Sequence, residues 1–226
     1  MRRTILMLTA AAWVSAVGLD AQETARARAQ RALSADMFRD LSTLADEMAA
    51  SGIPGEPLYV KALEGTAKRV PPDRVLPAVR AYAGRLGEAR RAFGVGAPTP
   101  LLVAGADALQ RGVSAETLRA LPADRRRSPM AVMVLADLLE SGVPTDRALA
   151  ILREVMVQRA RDDRMLDISA RVRRLIRQGL TPQEAIDRVR GNLQRARDGS
   201  IGPPVPPGSE PVIRDGLRDR LGGGNP

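Results

Sequence analysis

Apolar residues recur along this chain at spacings of three and four, and each run ends in a short glycine- or proline-rich break. Between Glu23 and Ala50, Leu33, Met37, Leu41, Leu44 and Met48 follow helical spacing, with Ser34 placed to break or cap the stretch. A short helix is expected near Pro57 to Ala67, then a longer one from Pro72 to Phe93 with Val75, Val79, Tyr82, Leu86 and Phe93 on one face. Pro72 suits a first turn, whereas Pro77 either kinks this helix or moves its start. Beyond the break at Gly94-Val95-Gly96-Ala97-Pro98, Thr99-Pro100 reads as an N-cap and first helical residue, opening a helix to about Arg111. Ser114 caps a short helix ending around Leu121-Pro122. Ser128-Pro129 opens another, Met130 to Glu140, which is apolar around most of its circumference and so belongs at the centre of the fold. Helices from Asp146 to Arg159, from Asp163 to Gln178 and on to about Arg197 complete the series. No alternating run of β-branched residues signals a strand.

Five of the breaks share one chemistry. They read Gly52-Ile53-Pro54-Gly55-Glu56, Arg69-Val70-Pro71-Pro72-Asp73, Gly112-Val113-Ser114-Ala115-Glu116, Gly142-Val143-Pro144-Thr145-Asp146 and Gly179-Leu180-Thr181-Pro182-Gln183. Gly52, Gly112, Gly142 and Gly179 are expected to end their helices in the left-handed conformation, and the branched residue that follows folds back on the last turn. Arg69 stands where glycine belongs, which makes that copy degenerate. Thr181 and Glu184 form a Thr-x-x-Glu capping box for the last helix. The fold class is therefore all-α, an array of helix–turn–helix hairpins. The intervals between turns have the size that repeat arrays use, but they vary, and the Trp, Gly and Tyr signature of tetratricopeptide repeats is absent. An irregular helical domain is favoured over a regular α-solenoid.

The two ends read differently from the middle. Arg2 and Arg3 precede an uncharged apolar run from Ile5 to Val17, followed by small residues up to Ala21, which is the layout of a secretory signal peptide over residues 1–21. Cleavage after Ala21 is the first choice, with Ala16 and Gly18 as alternatives. The run is shorter than the roughly 20 residues a bilayer requires, so no transmembrane segment is expected after cleavage. The helical domain spans residues 22–197. From Asp198 to Pro226 the composition is rich in glycine, proline and charge and reads as a disordered tail, with a nascent helix at Val212 to Leu221.

Composition narrows the chemistry. Cysteine and histidine are both absent, which removes thiol nucleophiles, His-based triads and the usual zinc sites, and no cofactor or metal is expected. Past the signal peptide the aromatics are Phe38, Tyr59, Tyr82 and Phe93, so the core must be largely aliphatic. The acidic neighbours Asp46-Glu47 and Asp162-Asp163 do not face each other on a helix and read as solvated. A glycan hydrolase using a single glutamate, with Glu47, Glu116 or Glu184 as candidates, is the enzyme class left standing and is disfavoured.

The net charge of +9 is carried almost wholly by arginine. Arg125, Arg126 and Arg127 in a turn, and Arg171 and Arg174 on a helix, are the candidate anion-binding residues. Arg173, Arg177, Arg188 and Arg190 lie near the latter but alternate with Asp167, Glu184 and Asp187, which favours neutralisation within the last hairpin. Nucleic acid is not expected as a partner, because the chain is read as exported and offers almost no aromatics for base stacking. The expectation is a periplasmic or secreted, non-enzymatic interaction or scaffold protein whose partner is a protein. The alternative is a basic protein that binds peptidoglycan, lipopolysaccharide or anionic lipid through arginines.

Overall fold

The computed structural model describes residues 24–122, 128–157 and 162–197. The segment 1–21 read as a signal peptide, Arg125, Arg126, Arg127 and the residues beyond Arg197 lie outside the described residues. Ten helices and no strand occur among those described: α1 (Ala25–Ala32), α2 (Ala35–Ala50), α3 (Glu56–Ala67), α4 (Pro72–Phe93), α5 (Thr99–Gln110), α6 (Ala115–Arg119), α7 (Pro129–Glu140), α8 (Thr145–Val157), α9 (Asp162–Arg177) and α10 (Pro182–Arg197).

The five breaks are five copies of one backbone motif. At each, the N–H of the left-handed residue bonds the carbonyl three residues back, and the next N–H reaches the carbonyl five residues back. The pairs are Gly52 to Ala49 and Ile53 to Met48; Arg69 to Thr66 and Val70 to Gly65; Gly112 to Leu109 and Val113 to Ala108; Gly142 to Leu139 and Val143 to Leu138; Gly179 to Ile176 and Leu180 to Leu175. Arg69 is not degenerate: with φ 56° it takes the same left-handed conformation as the glycines and is the one non-glycine among the described residues to do so. Two carbonyls satisfied by the motif, and Val70 packed against the N-terminal core, outweigh the roughly 1–2 kcal/mol that a Cβ costs there.

Several starts follow the sequence and one does not. Ser34 and Ser114 accept from Met37 and Thr117 N–H groups as N-caps. Helix α4 begins at Pro72 and continues through Pro77, which is therefore internal and leaves the Asp73 carbonyl without its helical donor. Thr99 is already helical; the N-cap is Pro98, with Pro100 in the first turn and no side-chain cap. An extended Pro98 is held by its ring in the backbone geometry that a cap requires, so the threonine hydroxyl is not needed.

Helices two apart stack side by side. Helices α1 and α3, α5 and α7, and α7 and α9 pack together in one layer, and α2 with α4, α4 with α6, and α8 with α10 in the other. Consecutive helices α3–α4, α4–α5, α7–α8 and α9–α10 join the layers. Within this hairpin stack the turns at 69, 112, 142 and 179 join the two helices of a hairpin, while the Gly52 turn joins one hairpin to the next. The stack is also uneven, because α3 and α5 pack less closely than the other pairs of their layer; the 22-residue α4 lies against both.

Two apolar clusters meet at α5. Leu102 and Ala106 face the N-terminal cluster, which contains Leu41, Leu58, Tyr59, Tyr82 and Leu86. Leu101, Ala104 and Ala108 face the C-terminal one, built on Val132, Leu135, Leu138, Ile151, Leu152 and Ile168. Helix α7 is central to that second cluster as its composition predicts, although Met133 is 48% exposed. Both tyrosines, and Phe38, pack in the N-terminal cluster, leaving the other almost wholly aliphatic apart from Phe93 at the boundary.

The contact between α4 and α5 depends on Gly105. A Cβ there would lie 2.5 Å from Phe93 Cε2 and 2.8 Å from Ala89 Cβ. Gly105→Ala gains about 1 kcal/mol of helix propensity but overpacks a core contact at about 1–3 kcal/mol. The net effect in urea unfolding should be destabilising, and a stabilised variant would mean that the helices part without cost. The turns make a paired prediction. Gly179 has open space around its missing Cβ, so Gly179→Ala isolates the backbone term and should lose about 1–2 kcal/mol. Arg69→Gly should gain roughly 0.5–1 kcal/mol once the extra freedom of unfolded glycine is subtracted. Equal effects of the two changes in thermal unfolding would contradict the shared motif.

Candidate functional site

Where α3 and α5 pack less closely than the other pairs of their layer, a groove of about 340 Å³ remains between them, with α4 beneath. Its walls follow from helical spacing: Pro57, Val60, Lys61 and Glu64 come from one face of α3, and Val103 and Asp107, four apart, from α5. Tyr82 of α4 also lines the groove. Its residue is almost wholly buried, and burial, followed by the nearby Asp107, pushes its phenol up to about 12.

The charges around this groove are unequally partnered. Glu64 accepts from Lys68 and, at 2.9 Å, from Lys61, and these two bonds pull its carboxyl down to about 2. The Lys61 ammonium also lies 5.6 Å from the centre of the Tyr82 ring, and the Arg85 guanidinium 6.0 Å from it. Arg85 donates to Gln110 at 3.3 Å, while its Nε is buried without a hydrogen-bond partner. Asp107 makes no ion pair within 4.0 Å among the described residues. Its residue is exposed, but neighbouring groups partly desolvate the carboxylate, and this raises the carboxyl above the ordinary aspartate value despite Lys61, Arg85 and Arg111 nearby. None of these groups was singled out by sequence reasoning. The available signal was Asp107, the one charged residue in the otherwise apolar α5.

The predicted anion-binding residues are placed elsewhere. Arg171 and Arg174 are exposed on α9, where Arg171 stands 3.7 Å from Asp167. Arg171 and Asp167 edge a second groove, about 390 Å³, floored by Ile168, Val189 and Leu193 between α9 and α10. Most other arginine pairs run between hairpins, not within the last one. Arg111 at the end of α5 bonds Asp137 at 2.6 Å and also Glu140, both on α7. Arg173 of α9 reaches the same Asp137 at 3.5 Å. In the other layer Arg147 of α8 bonds Asp187 of α10 at 3.0 Å, and Glu154 of α8 is bonded by Arg190. Pairing therefore follows the stacked neighbour, because parallel helices two apart bring charged faces alongside each other.

The cap residues and the acids are also located. Thr181 and Glu184 close the capping box: Thr181 Oγ accepts from the Glu184 N–H at 3.3 Å, and the Glu184 carboxylate accepts from the Thr181 N–H at 2.9 Å. Those bonds, the backbone one first, lower the Glu184 carboxyl. Glu47 and Glu116 are exposed. Among the described residues no group of three or more acidic side chains converges as a metal site, and no helix is long and apolar enough to cross a membrane. Comparison of the chain with models of protein families, with curated proteins and with solved structures finds no significant match.

The Glu64 bonds carry a pH signature. A carboxyl whose pKa is lower folded than unfolded stabilises the fold above its unfolded value, and that contribution disappears as pH falls through the folded one. The stability difference between the native chain and Glu64→Gln should be constant above about pH 5, then shrink from about 4.5 towards 2. Its size should not exceed about 1 kcal/mol, because the pairs are solvent-exposed. Urea midpoints across this range test it, and a difference independent of pH would mean that the two lysines do not hold Glu64.

Proposed function

We propose that this chain is an exported, non-enzymatic scaffold of the bacterial envelope that holds a protein partner on the layer formed by α1, α3, α5, α7 and α9. The observation that carries the reading is the looser joint between α3 and α5, where the layer's side-by-side stacking is weakest and leaves a groove lined by Pro57, Val60, Tyr82 and Val103 together with Lys61, Glu64 and Asp107. The same layer carries the large apolar side chains left exposed within helices among the described residues: Val60 at 50%, Met133 at 48% and Leu166 at 43%. Met133 lies one turn before Asp137, the residue bonded by both Arg111 and Arg173, so it shares their solvent-facing side. Export rests on the arrangement of residues 1–21, with a mature chain starting at Gln22.

A second reading, arginine-mediated binding to anionic polymer or lipid, is favoured by exposed Arg171 and Arg174 beside an apolar groove. It is weakened by the carboxylates that already engage Arg111, Arg147, Arg173 and Arg190.

Photo-crosslinking side chains at Val60 and Met133, with Arg80 and Arg188 of the opposite layer as controls, test the first reading in envelope extract. Protein adducts are expected from the first pair and not from the second. Adducts spread evenly over both layers would sink it. Retention on phosphatidylglycerol vesicles at low salt, collapsing as the Debye length falls to about 8 Å near physiological salt, would favour the second reading.

A further inference from the structure

The first and last hairpins of the stack end differently. At the N-terminal end α1 lies on α3, burying Ala25 and Ala29 and turning Arg26, Arg28 and Gln30 outward. Stacked helical arrays need terminal units of this kind, with a polar outer face. At the other end α9 and α10 form the last hairpin, and no helix follows it among the described residues. The groove of about 390 Å³ lies between these two helices. Arg171 on its rim is two residues from Arg173, which bonds Asp137 of α7, so the groove opens on the side of α9 turned away from the rest of the stack. Ile168 and Val189 at its floor are buried, Leu193 is half-buried and Ala196 is exposed, while Asp167 and Arg171 stand 3.7 Å apart at the edge. Each helix of a layer packs on the helix two before it, so this is the place of the next helix in the chain.

The sequence has a candidate for that place. Val212 to Leu221, outside the described residues, carries Ile213, Leu217 and Leu221 four apart, on one face of a helix. Glu210-Pro211 precedes it as Glu56-Pro57 opens α3, and Gly222 follows it. Its remaining charges, Arg214, Asp215, Arg218, Asp219 and Arg220, give a polar outer side like that of α1. Residues 198–211 join it to α10 and, when extended, reach about 46 Å. That exceeds the roughly 24 Å length of α10. A segment tethered in this way meets the groove at an effective concentration of order millimolar, which a second copy or a free partner at micromolar concentration does not match.

We infer that residues 212–221 seat as an eleventh helix on the α9–α10 groove of their own chain, with Ile213, Leu217 and Leu221 against Leu193 and Ala196, and so cap the C-terminal end of the stack. A segment this short, with Gly216 inside it, does not hold a helix in isolation, so its helicity depends on the groove. The rim carries one carboxylate and one guanidinium, and the segment offers both signs to meet them.

The chain has no cysteine, so a single introduced thiol carries a probe without competition. Asp219→Cys, labelled with a nitroxide, is made in the chain from Gln22 to Pro226, and NMR amide intensities are compared before and after the label is reduced. The signals of Arg171, Leu193 and Ala196 should be at least about twofold weaker with the active label, as expected once most molecules are docked at that effective concentration. Those of Leu58 and Leu86, in the N-terminal cluster, should not change. Ile213→Asp combined with Leu217→Asp, which alters no residue of α1 to α10, should abolish the loss. No loss at the groove, an equal loss in the N-terminal cluster, or a loss that survives the double substitution overturns the inference. Spin-labelled chains are also mixed with isotope-labelled chains that carry no nitroxide. The same loss in that mixture means that the segment seats on a second copy, which overturns the assignment to its own chain.

Discussion

Helix α5 has apolar residues on both sides, and a helix so built is stable only when it is covered from both. The N-terminal cluster covers Leu102 and Ala106, and the C-terminal cluster covers Leu101, Ala104 and Ala108. What permits this is the missing side chain at Gly105, where Phe93 and Ala89 come up against the α5 backbone. Interiors packed to crystal-like density transmit any shift at such a point. The seat of α5 fixes where α7 lies, α7 carries α8 and α9, and the spacing between α5 and α3 sets the width of the groove. Both the core and the candidate site therefore trace back to one glycine with no turn to make.

The order of helices and the chemistry of their ends were legible because capping is local. Ser34, Ser114 and the Thr181–Glu184 box act within one turn of themselves, and a left-handed glycine declares itself by the branched residue that follows. Arg69 was misread because its identity argues against the conformation it adopts, while the two backbone bonds and the packing of Val70 that impose it are invisible without the neighbouring turns. Gly105 was silent for the opposite reason: glycine inside an apolar helix has no local signature that separates a close helix contact from mere tolerance. The groove was less legible still. It lies between two helices about forty residues apart in the chain that pack only loosely, and Asp107 gains meaning only beside Val60 and Tyr82.

Charge shows how the stack alters what a sequence implies. The run of arginines on α9 looked like a patch to be neutralised by its own hairpin, yet Arg173 is engaged by Asp137 of α7 and Arg190 by Glu154 of α8. Each such pair sits near the surface and adds little to stability on its own. Their arrangement matters more for register, because Arg111 and Arg173 share Asp137 and so tie three stacked helices at one level.

The uneven distribution of aromatic side chains has an optical consequence. Trp13 belongs to the segment read as removed on export, and Tyr59 and Tyr82 both lie in the N-terminal cluster. In a chain without that segment, near-ultraviolet absorbance and tyrosine emission thus originate from one half of the molecule, while far-ultraviolet ellipticity samples the helices of both. The protein is, in effect, labelled on one side by its own composition. Comparing the two signals along a single denaturant series reveals whether the clusters joined at α5 come apart together or in turn.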